Sequence, residues 1–439
     1  QSKIVLDSLK FMEDDSMKNM MDYVQEFGKD TFEERPFSEI DALVLTELGY
    51  SPLEEIVSSD MSGKEFSTME EIAHYLGENA ERLLRDNPMM ITQERVDLTQ
   101  EIGRAKRYQS LKFFGMKSEV DSDITKQFAA LTVEISPNMR IVIYRGTDET
   151  LIGWKEDFMM TYSPIIPAHK DAKEYLEQQA KVFDGKILLS GHSKGGNLAL
   201  YAAAAQEKEV QSRLGKIFCF DSPGLHRSIL ETEGYQAVVP LAMRYIPQDA
   251  LVGLLLESEI PYVIVKSNAF AALQHSALTW EIENGQFVTM DHLTKNSQLN
   301  DQTFKKWTEE VSDEELELFW DVFFELLFTI GLDTINDVFG KFMHYVQEFF
   351  KAAGQMDEEK RELLTRVALL LLQTRFNVWR DSISFADTFN VEFPSWDDIL
   401  TRIHWKKEGV SIKYQASQEN EEIREYYQQR HEQKKHEEK

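Results

Sequence analysis

Lys186-Ile187-Leu188-Leu189-Ser190-Gly191-His192-Ser193-Lys194-Gly195-Gly196-Asn197-Leu198-Ala199-Leu200-Tyr201-Ala202 is the stretch on which the reading of this chain turns. Its first five residues form a short, largely apolar run with the length of a buried strand. From Asn197 it becomes an alanine- and leucine-rich helix former. Between the two lies Gly191-x-Ser193-x-Gly195, in which small residues flank a serine on a sharp strand-to-helix turn. The serine backbone in such a turn is strained, and a bulky neighbour would clash. The helix opening at Gly195-Gly196 directs its free N–H groups and positive dipole end at charge developing beside the serine. Strand, turn and helix together make Ser193 a candidate nucleophile.

Working outward, strand signals recur at 216–220, 242–246 and 261–266, with helical spacing over 168–183. Phe128 to Ile135 and Arg140 to Tyr144 are β-rich runs separated by Ser136-Pro137-Asn138, a hairpin signal. A second hairpin is expected over 277–289, with Asn284-Gly285 at its tip. Strands alternating with helices predict a mainly parallel sheet covered on both faces. Together with the serine turn this is an α/β class chain with an α/β-hydrolase fold. Residues 18–82 read as mostly helical, and Ser38 is placed to cap the helix through Ile40 to Leu45. The chain reads helical again from about 302 to 389. The expected organisation is a helical N-terminal segment (1–82), an α/β-hydrolase core (83–300), a helical extension or cap (301–390) and a charged tail (391–439). No internal repeat is visible.

Bulk properties narrow the function classes. The 439 residues are 42% hydrophobic and 11% aromatic, ample for a large core. The formal charge of −28 opposes binding to phosphate backbones, so nucleic acid is not an expected partner. No leader is visible, and no apolar run reaches the roughly 18 residues of a spanning helix, so stable membrane insertion is not expected. The single cysteine, Cys219, lies in a strand-like run and is read as a structural thiol. A lone thiol fits a reducing compartment, and a cytoplasmic location is expected. No Cys/His cluster has zinc spacing.

In this fold the order is nucleophile, acid, histidine. Met243-Arg244-Tyr245-Ile246-Pro247-Gln248-Asp249 supplies a strand, a proline stop and an acid, which makes Asp249 the expected acid. Asp221 is its rival, one strand earlier. After Tyr262 to Val265 the loop Gln274-His275-Ser276 makes His275 the expected base. His292 lies beyond the hairpin, His192 is expected to pack beneath the turn, and His226 reads as a loop residue. An oxyanion hole needs two donors. One is the Lys194 amide, next after the nucleophile. The other is expected from Thr147, in Arg145-Gly146-Thr147-Asp148 after a strand, donating through N–H and hydroxyl.

Tyr144-Arg145-Gly146-Thr147, Trp154, Asp157 and Gly191-His192-Ser193-x-Gly195-Gly196 resemble the class 3 lipase pattern. That resemblance implies that Thr147 forms the oxyanion hole, that Asp157 anchors its loop alongside Arg145, and that Asp249 and His275 are acid and base. Asp41-Ala42-Leu43, Phe128-Ala129-Ala130, Arg145-Gly146-Thr147-Asp148, Gly153-Trp154-Lys155-Glu156-Asp157-Phe158 and Gly191 to Asn197 resemble more closely still the bacterial Mbeg-like family of α/β-hydrolases, over roughly residues 18–295. Class 3 lipases usually carry an apolar residue after the nucleophile and alanine in the following helix, where this chain has Lys194 and Asn197. Lys194 is expected either to be solvated at the site mouth or to recognise an anionic group of the substrate.

The expected function is therefore a serine carboxylic-ester hydrolase acting on an acyl lipid or small ester, with no metal or cofactor. The same triad would serve a thioesterase or amidase, and a non-catalytic scaffold is the alternative from another class. The aromatic helices between about 313 and 353 are expected to cap the site over an apolar part of the substrate, or else to form a separate helical core or a self-association surface.

Overall fold

The computed structural model describes residues 17–86, 90–332, 334 and 342–382. Its main sheet has eight strands in sequential order: β1 (Ser67–Thr68), β2 (Lys112–Asp121), β3 (Lys126–Ser136), β4 (Met139–Tyr144), β5 (Lys186–His192), β6 (Leu214–Phe220), β7 (Ala242–Pro247) and β8 (Tyr262–Val265). β1 to β4 pair antiparallel, and β4 to β8 pair parallel. The hairpin expected before residue 144 is β3–β4, and each later strand falls within a few residues of its expected place. β2 was not read from sequence. A register shift between Phe114 and Lys117, with Gly115 at φ 65°, breaks the alternation that would have marked it.

Helices supply the cover that a parallel sheet needs on both faces. The N-terminal set is α1 (Met20–Phe27), α2 (Glu39–Leu48), α3 (Met69–Glu78), α4 (Ala80–Asp86) and α5 (Gln93–Arg104). Ser38 caps α2 as expected, in a reciprocal box with Asp41. The buried Asp41 carboxylate also takes Arg107 at 2.6 Å and the hydroxyls of Tyr108 and Tyr23, which ties α1, α2 and the end of α5 together. α2 covers one sheet face, where Leu188, Phe218 and Phe220 meet Leu43, Val44 and Leu45. On the other face, Ile187, Leu189, Ile217 and Cys219 pack with the crossover helices α7 (Pro167–Val182) and α8 (Lys194–Ala204). The shorter α6 (Leu151–Met159) precedes α7 in the β4–β5 crossover. Three short helices, α9 (Lys208–Gln211), α10 (Arg227–Leu230) and α11 (Glu233–Val238), complete the later crossovers. This is the α/β-hydrolase fold.

The second expected hairpin is present but short, β9 (Ile282–Glu283) and β10 (Gln286–Phe287), with Asn284 and Gly285 at positive φ in its turn. The extension follows as α12 (Lys295–Glu310), α13 (Asp313–Thr329), α14 (Phe342–Gln355) and α15 (Glu358–Ser382). It has its own core around Trp307, Leu316, Phe319, Val322 and Val367. α13 also packs on α6: the rings of Trp320 and Phe158 stack at 3.9 Å, Lys155 pairs with Asp321 at 2.8 Å, and Phe324 and Leu332 bury Leu151. The side chains of Phe339, Phe342, Tyr345 and Phe350, and the charged tail 391–439, lie outside the described residues. No described helix is long and apolar enough to cross a membrane.

Candidate active site

Ser193 stands between β5 and α8 at φ 57°, ψ −134°, a conformation outside the regions that L-residues favour and costing about 1–3 kcal/mol. Its surroundings hold it there. The Ser193 N–H donates to Phe220 O at 3.0 Å, tying the turn to the end of the neighbouring β6. A Cβ at Gly195 would collide with the Tyr144 carbonyl oxygen, so only glycine lets α8 begin this close to the end of β4. A Cβ at Gly146 would meet the Tyr50 hydroxyl and sit 2.8 Å from the His192 carbonyl oxygen. The loop after β4 is thus pressed directly against the serine turn.

His275 ends a 3-10 turn, Ala271–His275, and its Nδ1 lies 2.6 Å from Asp221 Oδ2. A carboxylate only accepts, so Nδ1 carries a proton, and the neutral ring in this setting is the tautomer with its lone pair on Nε2, the one a general base needs. The Asp221 side chain is 1% exposed, and its Oδ1 accepts the Gly253 N–H at 2.9 Å. His192 fastens the histidine loop to the serine turn: its Nε2–H donates to the His275 carbonyl at 2.7 Å. Its Nδ1 takes the Tyr50 hydroxyl at 2.8 Å. Burial foremost, with His275 nearby, pushes His192 down to about 3, so it stays neutral. His192 packs beneath the turn, as expected. The Ser193 hydroxyl has no hydrogen-bond partner among the described residues, so histidine and acid are joined while serine and histidine are not.

The carboxylate on His275 is therefore Asp221 and not Asp249, a correction to the sequence reading. Asp249, just after β7, instead holds Thr294, the N-cap of α12: its Oδ1 accepts the Thr294 hydroxyl at 2.5 Å and its N–H donates to the Gln274 side chain at 2.9 Å. The reason lies in strand order. β6 is the immediate neighbour of β5, so the residue after β6 faces the serine turn. The signal was Phe218-Cys219-Phe220-Asp221-Ser222-Pro223, an apolar strand ending in an acid and a turn. Asp221 at φ 35° marks the bend that brings the carboxylate round.

Thr147 and Asp157 meet as expected: Thr147 Oγ1 donates to Asp157 Oδ2 at 2.5 Å. A hydroxyl has one proton, so here it anchors the loop and only the Thr147 amide is free to donate elsewhere. Among the described residues the amides of Thr147 and Lys194 donate to no protein acceptor. Arg145 braces the same loop, pairing with Glu54 at 3.0 Å and Ser118 at 3.0 Å.

Both readings of the Lys194 side chain are overturned. It is neither solvated nor available to substrate, because it is 1% exposed and turned inward. Its Nζ lies 3.0 Å from Glu156 Oε2 and donates to Gln127 Oε1 at 2.6 Å. Burial works against the ammonium, and the carboxylates of Glu156 and Asp157 outweigh it, raising Lys194 above its ordinary value. Tyr50, Gln127 and Glu156 are site residues that sequence reasoning missed. Asn197 is explained as well: it accepts His169 Nε2–H at 2.7 Å and donates to Gly224 O at 2.5 Å, joining the start of α7 to the Asp221 loop. Among the described residues no group of three His, Cys, Asp or Glu side chains converges as a metal would require.

Over residues 102–325 the chain matches the family described as Mbeg1-like. The match leaves out α1 to α4 and takes in most of α13. Among solved structures, the chain is similar to a Rhizomucor miehei lipase propeptide complex at 17% identity, covering 54% of this chain and 79% of that one, with a TM-score of 0.29. It is also similar to a lipase from Rhizopus microsporus var. chinensis at 12% identity, covering 59% of this chain and 80% of that one, with a TM-score of 0.31. M37 lipase gives 13% identity, 59% and 84% coverage and a TM-score of 0.31. No curated protein matches the chain.

Proposed function

The chain belongs to the Mbeg1-like family, and on that premise we propose that it is a serine hydrolase acting on carboxylic esters, with Ser193, His275 and Asp221 as its triad. The observation that carries the reading is the strained Ser193 at a strand–helix junction, with an imidazole held in the basic tautomer one strand away.

Ser193 Oγ attacks the acyl carbonyl while His275 Nε2 takes its proton. The Asp221 carboxylate holds the resulting imidazolium. The oxyanion of the tetrahedral intermediate accepts the amides of Thr147 and Lys194, the second lying at the N-terminus of α8, where the helix dipole adds to it. The intermediate collapses as His275 returns the proton to the leaving alcohol. A water, deprotonated by His275, then releases the acid and restores Ser193.

Hydrolysis of p-nitrophenyl butyrate by the purified full chain tests the reading. Ser193→Ala is expected to lower kcat by about a thousandfold or more. Absence of turnover by the unaltered chain on short-chain esters would overturn ester hydrolysis as the activity, and a Ser193→Ala rate equal to that of the unaltered chain would remove Ser193 as its nucleophile.

A further inference from the structure

The two amides assigned to the oxyanion hole hang from one set of charges, in which Lys194 and Glu156 are fully buried and Asp157 is partly so. Lys194 supplies one of them at the serine turn. Its side chain crosses to α6, where Nζ lies 3.0 Å from Glu156 Oε2 and 3.7 Å from Asp157 Oδ1. On β3 it donates to the Gln127 carbonyl at 3.0 Å. Glu156 accepts the Gln127 N–H at 2.9 Å and the Ala168 N–H at 2.8 Å, so it also joins β3 to the start of α7. Asp157, the next residue on α6, holds the Thr147 hydroxyl and with it the second amide.

A buried ion pair is a poor device for stability, since an apolar residue of similar volume usually does as well or better. What an ammonium adds is direction. Its donors fix the distance and bearing of the partners they meet, here on β3 and α6 together.

We propose that the Lys194 side chain is a positioning residue which, through Glu156 and Asp157, aligns the Thr147 amide with its own and so builds both sides of the oxyanion hole. The inference rests on the serine-hydrolase reading above.

The arrangement has a pH signature. Burial pushes Asp157 up to about 6, and the Lys194 ammonium is the largest influence opposing that rise. The Thr147 hydrogen bond also lowers it, whereas Glu156 and Asp148 raise it, and the Tyr50 phenol faces the same carboxylate. Removing the ammonium therefore pushes Asp157 higher still. A protonated Asp157 can donate to Thr147 Oγ1 instead of accepting from it, and the loop loses its fixed bearing. Protonation disables the hole, so activity is lost on the acid side, and the limb moves to higher pH when Lys194 is removed.

The test is steady-state hydrolysis of p-nitrophenyl butyrate from about pH 5 to 9, with a fluorophosphonate endpoint counting reactive Ser193. The full chain is compared with Lys194→Met, and with Asp157→Asn added to it. Lys194→Met is expected to label to completion. Its kcat falls about tenfold to a hundredfold at neutral pH, its KM stays within about twofold, and its acid limb moves up by about one unit. Adding Asp157→Asn, which still accepts from Thr147 but gains no proton, brings the limb back. A Lys194→Met profile that superimposes on that of the unaltered chain overturns the proposal. Should Lys194→Met fail to fold, Lys194→Met with Glu156→Gln removes both charges and takes its place. An unaltered profile there, or failure of both to fold, overturns the proposal equally. An unaltered chain that neither labels nor turns over ester overturns the hydrolase reading and this inference with it. A labelled chain with indifferent variants overturns this inference alone.

Discussion

A carboxylate that fixes an imidazole must itself be fixed, and Asp221 is held by the Gly253 amide on one oxygen while the other meets His275. Its loss leaves the wrong tautomer facing Ser193. Asp221→Asn is expected to lower kcat on p-nitrophenyl butyrate by about a thousandfold to ten-thousandfold. Asp249→Asn, whose carboxylate serves Thr294, should change kcat only a few-fold and lower Tm. The opposite ranking in steady-state assays and melts would return the acid to Asp249. Thr147→Val keeps the amide and removes the anchor to Asp157. It is expected to lower kcat by about tenfold to a hundredfold with little change in KM, because the proposed donor would act on charge that exists only in the transition state. An effect on KM alone would make Thr147 a ground-state contact. At this scale the places of Ser193, His275 and Thr147 were legible, because each sits in a turn or loop after a strand, whereas Asp157, inside α6, was reached only through the family resemblance. Asp221 and Lys194 were not. Choosing between two acids after two strands depends on which strand lies beside β5. Whether a lysine at a helix start points out or in depends on a carboxylate 38 positions earlier in the chain.

Helix α6 is held from two sides. Glu156 and Asp157 face the core, and Trp154, Lys155 and Phe158 face α13. The aromatic face of α13 was legible in its spacing, but a face does not name what it covers. Phe323 packs among Phe319, Trp320, Phe324 and Phe349 and also lies against the cluster around Leu151 of α6. Phe323→Ala is therefore expected to cost about 3 kcal/mol in denaturant unfolding, while the preference between short and long acyl esters stays as it was. Selective loss of the long-chain ester would show that this face covers substrate instead. The parallel strands came through the sequence as short apolar runs, and the helices over 168–183, after Asn197 and beyond about 302 came through as helical spacing, but α5 and α6 were not read. Nor was β2, because its register shift hides the alternation on which strand reading depends.

For the whole molecule, burial sets the response to acid. His192 and His169 are pushed down to about 3 and about 4, foremost by burial, whereas an unfolded chain protonates its histidines near 6.5. Depressed bases contribute stability that is present above about pH 6.5 and is lost as pH falls toward their folded values. Asp157, raised to about 6, acts in the opposite sense and loses stability as pH rises through that value. Two histidines against one carboxylate predict a Tm that declines as pH is lowered from about 6.5 to 4. His169→Gln, which can still donate to Asn197, should make that decline shallower, and an unchanged slope in melts across this range would remove His169 from the account. The proposed nucleophile is the strained Ser193, and labelling of the full chain with a fluorophosphonate, followed by peptide mass spectrometry, tests that role most directly. The account predicts a single adduct on Ser193, absent from Ser193→Ala and strongly slowed in His275→Ala. An unlabelled chain, or equal labelling of Ser193→Ala, would contradict it.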